Sequence, residues 1–265
     1  RDVQIRGHRI RLPLDVMLVA TANPEDYTNR GRIITPLKDR FGAQIRTHYP
    51  RELSTELAVI RQEERAVEAP GVTVAIPPYM SEVVASISQL ARQSPHINQR
   101  SGVSVRLSVS NHETLAASAV RRALRLGEPV AVPRVSDLAA LASSTSGKVE
   151  VETLDEGGDQ PVVDRLVRQA VLAVFRSRVP TETLRAAVAA FDEGTAVQTG
   201  DAVPAAQYVE SLSSLPALRE PAVALAGEDS PAAVAAAMEF LLEGLHLSKR
   251  LNKESSGVGS VYRSR

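Results

Sequence analysis

A segment of α/β character followed by an all-α region is the fold that this 265-residue sequence predicts, on three observations. Alternating and apolar runs of strand length occupy the amino-terminal part, from Val3 to Leu12 and from Val16 to Ala20. Helical periodicity takes over between residues 54 and 144. Beyond residue 150 the chain is rich in Ala, Val and Leu, with helical stripes separated by Pro and Gly.

Residues 3–12 alternate apolar and polar around Gly7 and read as a small hairpin. Asp15 to Asn23 has too little polarity for a solvated edge and reads as a buried strand. A polar loop over residues 24–35, containing Arg30 and Arg32, leads to a short helical turn from Pro36 to Phe41 and a second strand from Ala43 to Tyr49. Ser54 is the expected cap of a helix running to about Val67, with Leu57, Ile60 and Glu64 marking its period. Pro70 to Pro78 interrupts the pattern.

An amphipathic helix is expected over residues 77–94, carrying Met80, Val83, Val84, Ile87 and Leu90 on one face. A longer one from Ser104 to Leu126 presents Val105, Val109, His112, Ala116, Ala119, Val120 and Ala123, and Gly127 ends it. Its start is ambiguous, because Ser110 with Glu113 also forms a capping-box pattern. A third helix, Arg134 to Ser144, enters through Pro133. Val163, Leu166, Val167, Ala170 and Val174 define one later stripe, and Ser230-Pro231 opens another through Val234, Met238, Leu241, Leu242 and Leu245. Gly257 to Arg265 reads as a frayed tail. The expected divisions are 1–68, 69–147 and 148–265.

The chemistry is concentrated between residues 14 and 47, in Ala20-Thr21-Ala22-Asn23-Pro24 followed by Leu37-Lys38-Asp39-Arg40-Phe41. This layout resembles AAA+ ATPases of the magnesium-chelatase subunit I and MoxR-type group, over about residues 1–142. The resemblance implies that 1–68 is the distal part of an AAA+ α/β core, 69–147 its helical lid and 148–265 a helical extension. It also implies roles. Asn23 would orient the water that attacks the γ-phosphate, and Arg40 would act as an arginine finger on a neighbouring subunit's nucleotide. Asp39 would hold Arg40 or the subunit contact, and Arg106, in Gly102-Val103-Ser104-Val105-Arg106, matches the family's sensor-two pattern at the start of the lid helix.

Each motif also has a plain structural reading. Ala-Asn-Pro ends a strand because Asn tolerates turn geometry and Pro stops pairing. An Asp-Arg pair on a one-turn helix is ordinarily a solvated surface pair. Arg106 on a first helical turn is slightly unfavourable to the helix dipole, and Arg100 is a weaker candidate for its role. Arg30 and Arg32 compete with Arg40 as the finger. It is the succession of motifs, rather than any one of them, that favours the functional reading.

No Gly-x-x-x-x-Gly-Lys-Ser/Thr occurs, and Gly147-Lys148 lacks both the first Gly and the Ser or Thr. The resemblance therefore implies ATP and Mg2+ bound mainly by residues upstream, a homo-oligomeric ring, and a partner with a von Willebrand A domain. The chaperone-like role is favoured over magnesium chelation proper by the long extension without a porphyrin or metal signature; a non-catalytic helical interaction protein is the rival from another class. Thirty-one basic and 31 acidic residues balance, giving no polyanion-seeking excess for nucleic acid. There is no Cys, hence no disulfide or thiolate chemistry, and no apolar run long enough for a membrane span. A cytoplasmic location is expected. The five histidines are too scattered for a metal motif.

Overall fold

The computed structural model describes residues 2–11, 17–21, 39–99, 101–152, 160–256 and 259–265. The chain divides into residues 1–47 and 48–265. In the first, β1 (Asp2–Ile5) and β2 (His8–Arg11) form an antiparallel hairpin in which Ile5 faces His8. Its two-residue turn has φ of 50° at Arg6 and 86° at Gly7, the left-handed pair that matches the right-handed twist of the flanking strands.

Two strand expectations are corrected in this segment. Residues 17–21, the described part of the expected buried strand, have no strand structure, and Met17, Leu18 and Val19 are 84, 79 and 81% exposed. Residues 43–49 likewise join no sheet, with Ile45 91% exposed. A strand exists only where a neighbour takes its N–H and C=O groups, and among the described residues these segments have none. At Asp39-Arg40 the chain makes a turn.

Residues 48–265 are mainly helical. Helix α1 (Leu53–Glu63) starts two residues earlier and ends four residues sooner than the pattern suggested, with Glu52 rather than Ser54 at the cap. β3 (Thr73–Val74) pairs in parallel with β4 (Val130–Ala131), flanking α2 (Pro78–Gln93) and α3 (Arg106–Leu126). Pro78 sits in the first turn of α2, where its missing N–H is not needed. Gly127 closes α3 with φ of 68°. Ser110 and Glu113 lie within α3 and cap nothing. The expected third helix is a 3-10 segment, Val135–Ala140, running into α4 (Leu141–Thr145).

Beyond it come α5 (Gln160–Arg178), α6 (Arg185–Asp192), β5 (Val197–Thr199), α7 (Ala205–Ser211), α8 (Arg219–Ala226), α9 (Pro231–Leu247), β6 (Asn252–Ser256) and β7 (Gly259–Arg263). β7 is the middle strand of a sheet ordered β5-β7-β6. The expected frayed tail is thus corrected. Tyr262 is 2% exposed, and its hydroxyl meets Glu243 on α9. Two distant stretches supply the ladder, which a local pattern cannot reveal.

The core is continuous from Ile60 to Tyr262 and crosses both 68/69 and 147/148. Helix α2 packs along α5, while α9 packs against α5, α7 and α8. Residues of α9 from Ala233 to Leu245 are all buried, as befits a helix apolar nearly all round. A side chain at Gly244 would run into the Phe175 ring, so α5 and α9 approach closely there.

Charge also ties the later helices to the earlier ones. Arg122 donates to Asp137 at 3.0 Å, to Glu128 at 3.1 Å and to the Val132 carbonyl at 2.6 Å. Arg134, with no exposed surface, donates to Glu128 at 3.1 Å and to the Val203 carbonyl at 2.7 Å, and lies over the Tyr208 ring. Glu239 on α9 accepts from the Ser136 N–H at 2.8 Å and from the Tyr208 hydroxyl. Burying ions is costly; Arg122, Arg134, Glu128 and Asp137 each have a counter-ion and further hydrogen bonds to offset the cost, and Glu239 is held by hydrogen bonds from Ser136 and Tyr208.

Candidate functional site

Arg106 is the first residue of the 21-residue helix α3, and its side chain is exposed. The loop before it is held from both sides. Gly102 has φ of 71°, and a Cβ there would collide with the Tyr49 hydroxyl. Val103 is buried, and its carbonyl accepts from Arg92 Nε at 3.0 Å. Ser104 Oγ accepts the Arg106 N–H at 3.2 Å, relieving one of the unpaired donors of a helix start.

Arg92 is the centre of this support. Its two terminal nitrogens bind Glu56 at 2.6 and 2.9 Å, and its guanidinium lies 4.7 Å over the Tyr49 ring. Glu56 is fully buried and also accepts from Ser108 Oγ at 2.6 Å. Helices α1 and α2 are therefore joined at the base of the Arg106 loop by one bidentate pair, a geometry Lys could not reproduce, and Ser108 ties α3 to it. Sequence reading identified Arg106 but neither Arg92 nor Glu56. A Glu on a helix beginning at Leu53 looks solvent-facing until α2 and α3 cover it.

Asp39 and Arg40 are exposed on their turn. Asn23, Arg30, Arg32 and Arg100 lie outside the described residues. Thr21 is exposed. Lys148 caps its own helix end, donating to the Ser144 carbonyl at 3.1 Å, which is an ordinary use of a cation at a carboxyl terminus. Among the described residues no group of three His, Asp or Glu is disposed to hold a metal ion, so no Mg2+ ligand can be named from them. Nor, among them, is any helix long and apolar enough to cross a membrane.

Four histidines are unremarkable: His8 and His48 are exposed, His96 meets Arg165 at 3.0 Å, and His246 lies 3.1 Å from the Leu251 carbonyl. His112 differs. It is 5% exposed, and burial pushes its imidazole below the ordinary range against the upward pull of Glu64 and Glu113. No protein-family model, curated protein or solved structure matches the chain.

Proposed function

We propose that the chain is the distal part of an AAA+ ATPase of the MoxR or magnesium-chelatase subunit I type, working as a ring motor that remodels proteins or inserts metal. Phosphate-cradling and Mg2+-holding groups would come from outside the described residues. The observation that carries the reading is the ordered set Asn23-Pro24, Asp39-Arg40-Phe41 and Gly102-x-Ser104-x-Arg106. Its last member is an exposed cation on a braced loop at the head of a long helix.

Chemically, Asn23 orients the attacking water and Arg40 neutralises charge on the transferring phosphoryl of a neighbouring subunit's nucleotide. Arg is suited to that work because it stays charged and forks onto two oxygens. Arg106 reports the γ-phosphate to α3, and through the Glu56–Arg92 pair a shift of α3 is felt by α1 and α2. A ring closed by rotation lets the finger act in trans, and a von Willebrand A partner would present the client.

In the natural full-length protein, Arg40→Ala lowers ATP turnover by ~10³-fold or more while leaving nucleotide binding nearly intact. Steady-state hydrolysis and fluorescent-nucleotide binding measure the two separately. Wild-type turnover in Arg40→Ala, alongside a loss in Arg30→Ala or Arg32→Ala, would move the finger. Absence of ATP hydrolysis by the wild-type protein would end the reading.

A further inference from the structure

A cavity of about 580 Å³ opens between the end of α1, the β3 segment, the start of α2 and the middle of α3. Its walls include Leu57, Val72, Ile76 and Ala116, and Ser81, His112 and Glu64 also line it. Ser81 Oγ lies 3.0 Å from His112 Nε2, and His112 Nδ1 lies 2.7 Å from Glu64 Oε2. Those contacts determine the proton positions. An ionised carboxylate only accepts, so the neutral imidazole carries its proton on Nδ1, and the lone pair on Nε2 must receive the Ser81 hydroxyl proton. The serine is thereby hydrogen-bonded to a base that a third group orients, the arrangement that activates a hydroxyl nucleophile.

We propose that Ser81, His112 and Glu64 form a nucleophilic serine site that acts on carboxylic esters whose apolar acyl group occupies this cavity. Ser81 is the catalytic nucleophile and His112 the catalytic base; Glu64 is a positioning residue for the ring. Ser81 Oγ attacks the ester carbonyl as His112 Nε2 takes its proton. The acyl C–O bond then breaks, and the departing alkoxide takes that proton from Nε2. Water attacks the acyl-serine, giving its proton to Nε2, and Ser81 recovers a proton as the C–Oγ bond breaks. Net, one ester and one water give one carboxylic acid and one alcohol.

Three further features suit this chemistry. Ser81 is the fourth residue of the 16-residue helix α2, whose positive end favours charge developing on the carbonyl oxygen. The cavity volume falls within the range of small-molecule sites, and its aliphatic wall suits a short hydrocarbon acyl chain. Burial keeps His112 neutral near pH 7, the state a base requires. Glu64 at the end of α1 and Glu113 on α3 oppose that shift, while Arg61 and Arg65 also line the cavity. This site stands independently of the ATPase reading, because none of its groups belongs to the nucleotide motifs.

The test is labelling of the purified protein with a fluorophosphonate probe, read by intact mass and peptide mapping. A single adduct on Ser81 is expected, absent in Ser81→Ala, with the labelling rate cut ~10²-fold or more in His112→Gln. Glu64→Gln should cut it less, and p-nitrophenyl butyrate should release one equivalent of nitrophenolate per protein in a burst. Circular dichroism checks that each variant is folded. Should His112→Gln fail to fold, the wild-type pH profile decides: the rate must rise through one ionisation below the ordinary imidazole range and then level off. A folded wild-type protein left unlabelled at Ser81, an undiminished rate in folded His112→Gln, or a rate that climbs with hydroxide without levelling would each overturn the proposal, leaving the three contacts as a tie between helices.

Discussion

Arg122 and Arg134 in one place and His112 in another are all buried within residues 48–265, and all have a carboxylate partner, yet they work under different conditions. The two arginines sit in a closed network with Asp137, Glu128 and two backbone carbonyls. Their charge does not change at any pH a protein survives, so the network can only hold or break. His112 faces a cavity, its partner Glu64 is about one-third exposed, and its own charge state changes with pH, below the ordinary imidazole range. Burial beside a carboxylate therefore means cement in the first case and chemistry in the second. What separates them is access to solvent and a charge state that pH can change.

The largest effect should come from breaking the cement. Arg134→Met takes from Glu128 one of its two arginines and from the Val203 carbonyl its donor, and should cost ~3 kcal/mol in urea denaturation. A loss below ~1 kcal/mol would show that the network is not what attaches the later helices. Replacing both members of the other buried pair, Glu56→Leu with Arg92→Met, should be milder, within ~2 kcal/mol of wild type, because no lone charge remains. On the proposed ATPase function, the same double variant should still impair ATP turnover, since the Val103 carbonyl loses its donor. Normal turnover would separate Arg92 from the work of Arg106.

His112 sharpens the contrast through pH. Its folded-state pKa lies below its unfolded value of about 6.5, so between the two the unfolded chain binds more protons and stability rises with pH. This contribution is fully present above about pH 6.5 and is lost as pH falls from there towards the folded-state value. Denaturation midpoints measured from pH 8 to 5 should fall in wild type and fall less in His112→Gln. Equal slopes would mean that His112 is not the group responsible. The smallest effect belongs to Tyr79, whose buried hydroxyl has no partner among the described residues and whose ring packs at a tilt against Phe240. Tyr79→Phe should be neutral or stabilising by up to ~1 kcal/mol, because it removes a desolvated hydroxyl that gains no hydrogen bond in return. A loss of more than that would reveal a hidden partner.

Local signals in the chain were sufficient for the helices that bury a single stripe. Pro78–Gln93 and Arg106–Leu126 follow from their apolar spacing, with Pro at one start and Gly at one end. The hairpin around Gly7 and the helix opened by Ser230-Pro231 were equally legible, since each rests on residues within one turn of one another. Arg106 and its Gly-x-Ser-x-Arg pattern could be picked out from the sequence, and so could the turn at Asp39-Arg40. Tertiary structure alone decided the rest. Tyr262 became a central-strand residue because strands at 197–199 and 252–256 come to it, and residues 17–21 and 43–49 stayed unpaired because, among the described residues, no strand does. Glu56 meets Arg92 across 36 residues, and Glu64, His112 and Ser81 converge over 48 and 31. A helix period says which side of a helix is buried; which residue waits on the other side depends on how helices dock, and docking is set by packing between segments far apart in the chain.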